Sequence, residues 1–307
     1  MSGMYQKTIV TPVNLQGVGL HSGKDSTIKI LPGKENQGII FKRVDLKFNN
    51  IISADYENVS SAKLCTTLEN EHGVKISTVE HLLAALYITG IDNAIIEINN
   101  EEVPIMDGSA KDFLSILQKT KIKNLTEKRK YLKITDTVEL IDGLRKISIE
   151  PNKSFEVDFQ LNYENKIIGQ QRNLVNFQTN NLKDVVESRT FCLFEDIEEI
   201  KKIGLAKGGS LENAVVVKQN EVLNENGLRN KKEFVNHKIL DLAGDFLLSG
   251  HRVLGKVTCY QGGHELTNTF LRKLLTSKSA FKIIEMEEII NSKKINLDQL
   301  TKIAVNA

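Results

Sequence analysis

Several features that would place the chain in a membrane or in an oxidising compartment are missing from its sequence. No window of about 18 consecutive apolar residues occurs, so no transmembrane segment is expected. The N-terminal stretch MSGMYQKTIV lacks the basic start and the apolar run of a signal peptide. The three cysteines, Cys65, Cys192 and Cys259, are far apart and form no CxxC pair, which argues against a disulfide framework or a thiolate zinc site. A soluble, cytoplasmic protein with free thiols is therefore expected.

An excess of charge of one sign is missing as well. The 41 Lys and Arg residues nearly balance the 39 Asp and Glu residues, for a net charge of +2, so no overall field attracts a nucleic-acid polymer. Neither an HExxH zinc-protease motif nor a phosphate-binding loop is present, because GLAKGGS has its lysine before the glycines and leads into a strand. Partners must therefore be inferred from individual sites.

The order of predicted elements repeats along a chain of 307 residues, which is long enough for two domains. In the first half, strands such as STIKIL and GIIFKRV precede the helix STVEHLLAAL, the strand IDNAIIEINN and the turn and helix of PIMDGSAKDFLSIL. In the second half, strands such as FEVDFQL precede the helix EFVNHKILDLAGDFLLSG, the strand HRVLGKVTCY and, after QGG, the helix HELTNTFLRKLL. The polar stretch TKIKNLTEKRK at residues 120–130 predicts a linker. We therefore predict two similar domains, residues 1–126 and 127–307.

Two titratable residues, Glu80 and His81, stand at the start of the otherwise apolar segment STVEHLLAAL. Ser77 followed by Glu80 three residues later matches the capping box, and on that interpretation His81 is a polar residue in an exposed first turn. The other interpretation is a functional pair at the mouth of a buried helix. The segment by itself does not decide between the two.

A polar stripe marks the helix that begins near Glu233. His237, Asp241 and Asp245 follow one another at intervals of four residues, with Lys238 beside them. A solvated face accounts for most such stripes. His and Asp one turn apart can, however, hold one ion, and Asp245 one turn further on could orient a ligand or a catalytic histidine. A catalytic zinc site usually has three protein ligands and an open fourth position, so a third ligand must come from elsewhere.

The remaining histidines supply the candidates for that third ligand. His21, His72 and His251 lie in turns or at a helix end, whereas His81 and His264 stand beside a cap or a glycine turn. If His81 completes the metal site, Glu80 can take a proton from a metal-bound water and direct the water at a carbonyl. His264 could then protonate a leaving group or stabilise an oxyanion.

Seven stretches match one known family in the family's order, from about Gly17 to His264. They are GVGLHSG, ISTVEHLLAALYITGIDNAIIEIN, VPIMDGSA, ESRTF, GLAKGGSLENAVV, EFVNHKILDLAGD and GGH. On these stretches the chain resembles the UDP-3-O-acyl-N-acetylglucosamine deacetylases of lipid A biosynthesis. The resemblance implies an α+β fold of two similar domains, each a sheet-and-helix sandwich, with paired helices packed between the sheets and the active site at the domain interface. It also implies a hydrolase that uses Zn²⁺ to remove the N-acetyl group of acylated UDP-N-acetylglucosamine.

The resemblance also implies roles for individual residues. Zinc would be bound by His81, His237 and Asp241, with Glu80 as the general base, His264 oriented by Asp245 as the acid or electrostatic partner, and Thr190 holding the oxyanion. Lys238 would help to bind the substrate, Phe159 would contact the uracil, and Phe191, Phe194, Ile197, Gly209 and Ala214 would line an apolar passage for the acyl chain within residues 190–217. Each methylene buried in such a passage is worth about 0.8 kcal/mol.

Two positions depart from the family pattern. Gln261 stands where a basic residue is usual, which puts one contact with a substrate phosphate in doubt. Cys192 replaces a glycine after SRTF and is expected to narrow or reshape the passage.

Two other functions stay open at this point. One is a zinc amidase for a different N-acyl sugar nucleotide, and the other is a lipid-binding protein with a structural metal. Structural zinc normally has four ligands, usually including cysteine, so three nitrogen and oxygen ligands favour an open catalytic site. The same ligands also accept iron or cobalt. We expect the protein to be a monomer.

Overall fold

The computed structural model describes residues 4–285 and confirms the α+β prediction. The strands of the first half are β1 (Tyr5–Ile9), β2 (Val13–Val18), β3 (Asp25–Pro32), β4 (Ile39–Arg43), β5 (Ile51–Ser53), β6 (Val59–Ser61), β7 (Thr67–Glu69), β8 (Lys75–Ile76), β9 (Ala94–Ile98) and β10 (Ile122–Lys128). Those of the second half are β11 (Lys130–Ile134), β12 (Val138–Asp142), β13 (Arg145–Pro151), β14 (Phe155–Asn162), β15 (Gln170–Asn176), β16 (Phe191–Leu193), β17 (Val215–Lys218), β18 (Glu221–Val222), β19 (Arg252–Tyr260) and β20 (Phe281–Glu285). The helices are α1 (Glu80–Thr89), α2 (Lys111–Lys119), α3 (Lys183–Val186), α4 (Ile197–Lys202), α5 (Glu233–Leu247) and α6 (His264–Thr276).

Each half contains one large sheet. In the first half the order is β2-β3-β9-β4-β5, with β4 parallel to β9 and the other neighbours antiparallel. In the second half β19 is the central strand and pairs with β11, β13 and β14. The order α1, β9, turn, α2 in the first half recurs as α5, β19, turn, α6 in the second. The repeated order of elements predicted from the sequence is therefore confirmed.

The linker predicted at residues 120–130 is wrong. Ile122–Lys128 forms the strand β10, which pairs antiparallel with β1 at the other end of the first half. Most side chains of this strand are exposed, so the polar composition reflects exposure rather than an absence of structure. Its partner is more than 100 residues away, which local patterning cannot show. The proposed boundary between residues 126 and 127 falls inside this strand and stays a prediction, and residues 286–307 of the proposed second domain lie outside the described part.

Helices α1 and α5 pack against each other and join the two halves. α5 also lies on β14, β15 and β19, while α2 packs on α1 and on β2. The close approach of the two helices depends on Gly244, because a Cβ atom there would lie 2.1 Å from the backbone oxygen of Glu80. Ala84 and Ala85 of α1 are also fully buried. Small residues therefore let the backbones of α1 and α5 approach closely, which positions the side chains at the start of α1.

No helix within residues 4–285 combines the length and the apolar character needed to cross a bilayer.

Candidate metal centre

The polar stripe of α5 is buried, so the interpretation as a solvated face is wrong. His237, Asp241 and Asp245 are 1%, 4% and 3% exposed, and every other residue from Glu233 to Leu247 is buried apart from Lys238. Packing with α1, α3 and α6 and with the seven-stranded sheet surrounds the helix. These three polar side chains must have partners inside the protein, because burial of a polar group without a hydrogen-bond or charge partner destabilises the fold.

The start of α1 is buried as well, and the capping box is wrong. Glu80 and His81 are 2% and 4% exposed, and the residue before the helix is Val79, which provides no side-chain cap. The hydroxyl of Ser77 donates instead to the backbone oxygen of Glu101 at 3.2 Å. Glu80 and His81 therefore face the interior rather than an exposed first turn.

Three ligand-type side chains from α1 and α5 converge on one point. His81 Nε2 lies 3.4 Å and His237 Nε2 lies 3.3 Å from Oδ1 of Asp241, and one ligand atom from each residue lies within 4.8 Å of the other two. The two imidazole rings meet edge to face with centroids 5.0 Å apart. The metal ligand set predicted from the sequence is thus brought together by the fold.

The polar atoms of this group fit a metal ion. Oδ1 of Asp241 is buried and has no hydrogen-bond partner among the described residues, although both histidine Nε2 atoms point towards it. A cation between the three atoms would satisfy them all. His237 Nδ1 lies 3.1 Å from the backbone oxygen of Ser188, so its N–H can donate there and leave Nε2 free as a ligand.

The protonation states suit metal binding too. Burial, more than any other cause, lowers the pKa of His237 to about 3, so this imidazole is neutral at physiological pH. Burial raises the pKa of Asp241, but His237, Lys238 and His264 outweigh it, and the pKa ends well below its usual range. Metal ligands must be deprotonated, and these two already are.

Glu80 lies beside the three ligands, and opposing effects act on the pKa of its carboxyl group, with a net increase. Burial raises its pKa, whereas His264 and His81 lower it. Its Oε2 accepts a hydrogen bond from the backbone N–H of Thr66 at 3.1 Å, and its Oε1 lies 3.6 Å from Nε2 of His264. A carboxylate with a raised pKa next to a metal site is well placed to accept a proton at neutral pH.

His264 begins α6 after Gly262 and Gly263 and is held as a cation. Its Nδ1 lies 2.8 Å from Oδ2 of Asp245, and its Nε2 lies 3.7 Å from Oδ2 of Asp241. Burial alone lowers the pKa of His264, but Asp245, Glu80 and Asp241 together raise it to about 9. The imidazolium therefore carries a proton on Nε2 that faces the cluster.

Thr66 also belongs to the cluster, although no pattern in the sequence predicts it. Its hydroxyl donates to Oδ1 of Asp245 at 2.6 Å and lies 3.3 Å from Nδ1 of His264, while its backbone N–H donates to Glu80. One residue thus orients three members of the cluster. The sequence held no signal for it, because TTLEN resembles many exposed strand segments.

Phe191 and Lys238 lie beside the cluster, and Thr190 immediately precedes Phe191 in the chain. The backbone of Thr190 is fixed by hydrogen bonds to Gly108 and Val215, each 2.7 Å long. The ring of Phe191 lies 6.3 Å from that of His237, and the ammonium of Lys238 lies 5.5 Å from the centre of the Phe191 ring. The same ammonium donates to Oδ2 of Asp241 at 3.0 Å. Phe191 and Lys238 are therefore next to the candidate metal site.

A mainly apolar cavity of about 340 Å³ opens beside Thr190 and Phe191. Phe191, Phe194, Ile197, Gly209 and Ala214 all line it, as the resemblance implied, together with Leu20, His21 and Leu64 of the first half. Cys192 also lines it, and burial raises the pKa of its thiol to about 11, so the thiol stays neutral. All three cysteines of the chain are unpaired.

The position assigned to Phe159 is wrong. This side chain is 1% exposed and lies in the core, with its ring against Gly262, so a uracil cannot reach it. Side chains alternate along β14, and Phe155, Val157, Phe159 and Leu161 all point inward. Tyr163, just beyond the strand, is the aromatic residue on the site side, with its ring 6.0 Å from that of Phe191.

Both polar atoms of the Gln261 side chain form hydrogen bonds with the backbone of Asn162. Its carbonyl accepts from the backbone N–H of Asn162 at 2.9 Å, and its amide donates to the backbone oxygen of the same residue. Gln261 therefore ties the end of β19 to the end of β14, and it provides no positive charge for a phosphate.

Comparisons with known proteins show the family of the chain. Residues 6–276 match the LpxC family model, described as UDP-3-O-acyl N-acetylglycosamine deacetylase. Proteins from Shewanella baltica strain OS155, Shewanella oneidensis strain MR-1 and Shewanella sp. strain MR-4, each named UDP-3-O-acyl-N-acetylglucosamine deacetylase, are 43% identical to the chain. Each comparison spans 288 residues, 93% of this chain and 94% of the relative.

Proposed function

The chain belongs to the UDP-3-O-acyl N-acetylglycosamine deacetylase family, whose members are metal-dependent amide hydrolases, and we propose that it uses zinc to remove the N-acetyl group of UDP-3-O-acyl-N-acetylglucosamine. The products are acetate and the free amine, and the reaction belongs to lipid A biosynthesis. One observation supports this most strongly: three buried metal ligands, a buried carboxylate and a cationic histidine converge where an apolar cavity begins.

Zinc is the metal that the ligand set favours. His81, His237 and Asp241 provide two nitrogen atoms and one oxygen atom, and the group contains no cysteine. Three protein ligands leave a fourth position open, which is typical of catalytic rather than structural zinc. When bound, a zinc ion would polarise the acetamide carbonyl and lower the pKa of a water molecule. The lipid-binding alternative would need a closed site, which these three ligands do not make.

Glu80 is proposed as the general base. Its carboxylate oxygen Oε1 is the atom that would accept the proton when water adds to the acetamide carbonyl. The N–H of Thr66 holds Oε2, so Oε1 is directed towards His264 and the ligands. The hydrogen bond fixes the rotamer of the carboxylate, and burial keeps its pKa raised, so proton transfer at neutral pH is favourable.

His264 is proposed as the acid. Collapse of the tetrahedral intermediate breaks the C–N bond, and the departing amine needs a proton, which Nε2 of His264 can donate. Asp245 accepts from Nδ1 and keeps the ring oriented, while Thr66 fixes Asp245 in turn. Before the amine leaves, the same cation stabilises the negative charge on the former carbonyl oxygen, a charge to which the hydroxyl of Thr190 is proposed to donate as well.

The cavity is proposed to hold the 3-O-acyl chain. It is mostly apolar, Thr190 and Phe191 are among its lining residues, and the lining includes each of the five passage residues. The ammonium of Lys238 lies beside the Phe191 ring and is proposed to contact the substrate, although it is also paired with Asp241. An acyl group in the cavity would place the sugar, and with it the acetamide, next to the metal ligands.

The location and the assembly state stay proposals. Three unpaired thiols fit a reducing compartment such as the cytoplasm. We propose that the protein is a monomer, as expected from the sequence.

Metal removal and return is the decisive experiment. Chelation should abolish acetate release from UDP-3-O-acyl-N-acetylglucosamine, and about one equivalent of Zn²⁺ per chain should restore it. The variant His237→Ala should lose both bound metal and activity, whereas His72→Ala, which alters an exposed histidine in a turn, should keep both. Full activity in metal-free protein, or metal retention by His237→Ala, would overturn the assignment.

A further inference from the structure

One wall of the apolar cavity is a loop of the first half, residues 19–23, here called the cavity loop. Leu20 and His21 of this loop line the cavity. The backbone of the loop is also held by residues 207–208, which lie between the lining residues Ala206 and Gly209: the N–H of Gly208 donates to the backbone oxygen of Leu20 at 3.0 Å, and that of Lys207 donates to the backbone oxygen of His21 at 3.2 Å. A molecule that fills the cavity therefore contacts the cavity loop directly.

Glu102 holds the cavity loop from beneath. Its Oε1 accepts a hydrogen bond from the backbone N–H of His21 at 2.8 Å, and its Oε2 accepts one from that of Ser22 at 2.7 Å. The side chain is 1% exposed. A Cβ atom at Gly19 would lie only 2.3 Å from Oε2, so the glycine lets the loop close around the carboxylate. Hydrogen bonds from N–H groups to a buried carboxylate are stronger than neutral ones.

The same carboxylate also holds Thr78, two residues before the start of α1. Oε1 of Glu102 accepts a hydrogen bond from the hydroxyl of Thr78 at 3.0 Å. Thr78 has a φ of 57°, which is unusual for a β-branched residue and must be imposed by its surroundings. Two residues later comes Glu80, the first residue of α1. The geometry of Thr78 therefore sets the direction in which Glu80 and His81 leave the turn.

We propose that Glu102 is a positioning residue that couples occupation of the apolar cavity to the placement of Glu80 and His81. A chain in the cavity presses on the cavity loop, the loop shifts the carboxylate through two N–H groups, and the carboxylate shifts Thr78. Binding energy from a remote part of the substrate thereby improves the alignment of the reacting groups. The proposal rests on the proposed function, because it assigns the cavity to the acyl chain.

Kinetics with two substrates provide the first test. Glu102→Gln replaces one acceptor oxygen with an NH₂ group, which cannot accept the N–H of the cavity loop. We expect kcat on 3-O-acylated UDP-N-acetylglucosamine to fall about tenfold and kcat on the substrate without the acyl chain to change less than about twofold. Glu101→Gln is the matched control, since the side chain of this neighbour is exposed and forms an ion pair with Lys24 at 3.4 Å, and it should leave both rates unchanged. An equal loss on both substrates would show that Glu102 merely maintains the fold.

Two variants of Thr78 test the proposal independently, in case Glu102→Gln does not fold. Thr78→Val removes the hydroxyl that donates to Glu102 and leaves both hydrogen bonds of the cavity loop, so it should lose the same preference for the acylated substrate. Thr78→Ser keeps a hydroxyl at this position and should therefore keep the preference of the wild type. Preservation of the preference in Thr78→Val would contradict the proposal.

A spectroscopic test avoids activity altogether. With Co²⁺ in place of zinc, decanol is a neutral probe that can fill the cavity without a carboxylate that binds the metal. Decanol should shift the visible absorption of cobalt in the wild type and in Glu101→Gln, but not in Glu102→Gln, even where displacement of a fluorescent apolar dye shows that decanol is bound. An equal shift in Glu102→Gln would overturn the coupling. A cobalt shift in a wild type that releases no acetate would contradict the proposed function and still support the coupling.

Discussion

The polar cluster and the apolar cavity are neighbours, but they are built from different kinds of structure. His81, His237 and Asp241 are each at most 4% exposed and lie on two helices that pack closely together. The cavity is lined largely by short elements, which are β16, the 3₁₀ turn Phe194–Asp196 and the six-residue helix α4. Phe194 on this side is 43% exposed.

The difference follows from what each region must do. Reacting groups need positions fixed to a fraction of an ångström, which buried helices with interlocking hydrogen bonds provide. A flexible apolar chain needs only contact with apolar surface, which half-exposed side chains on short elements can supply. The comparison predicts that the polar cluster tolerates little change, whereas the cavity tolerates much.

The largest effect is expected at Glu80. Glu80→Gln keeps the shape of the side chain and the acceptor for the N–H of Thr66, but it removes the proton acceptor. Turnover should fall by about 10²–10⁴-fold, while metal content measured by elemental analysis stays at the wild-type value. Glu71→Gln, at an exposed position, is the control and should match the wild type. Turnover within about threefold of wild type in Glu80→Gln would contradict the assignment of the base.

The helix contact should show the next largest effect. In Gly244→Ala the new Cβ would lie 2.1 Å from the backbone oxygen of Glu80, so α1 and α5 must separate. We expect a loss of about 1–3 kcal/mol in the free energy of unfolding, measured by chemical denaturation, together with weaker metal binding. Gly209→Ala makes the same change in the cavity, where the new atom finds its nearest neighbour at 3.4 Å. Equal stability losses at the two glycines would remove the contrast between the regions.

Much of the fold could be read from the sequence because its signals are local. Glycine turns and apolar periods indicated α1, α5, α6, β9 and β19, and the match in order of seven motifs indicated the family. β10 was missed because its pairing with β1 is long-range and its side chains are mostly exposed. Local patterning contains no information about such a partner.

The site was predictable to a similar degree and failed for similar reasons. His237 and Asp241 share a helix face, so their spacing alone suggested a shared ion. Phe159 was misassigned because none of the seven matching stretches covers β14, and only the alternation of buried side chains shows that this ring points into the core. Thr66 and Glu102 act through hydrogen bonds to distant segments, which no spacing reveals.

The smallest effect on stability is expected in the cavity, at Gly209. Its φ lies outside the left-handed region, and a Cβ atom there would lie 3.4 Å from the backbone oxygen of Ala206 and 3.7 Å from Leu20 Cδ1, which are ordinary contact distances. Because Gly209 lines the cavity, we expect a longer side chain at this position to project into it. Gly209→Leu should therefore change the free energy of unfolding by no more than about 0.5 kcal/mol.

The effect of Gly209→Leu on function should depend on the length of the acyl chain. Each methylene of substrate displaced from the cavity costs about 0.8 kcal/mol, so the loss of two methylenes lowers kcat/KM about tenfold for a long chain. The kcat/KM for a substrate without the chain should be unaffected. For a long chain, the kcat/KM of Gly209→Ala should lie between those of the wild type and Gly209→Leu. Measuring kcat/KM along a series of chain lengths checks this, because a leucine in the cavity must penalise long chains more than short ones. Equal losses along the series would instead mean that Gly209 acts on the polar cluster, and the two regions would then not be separable.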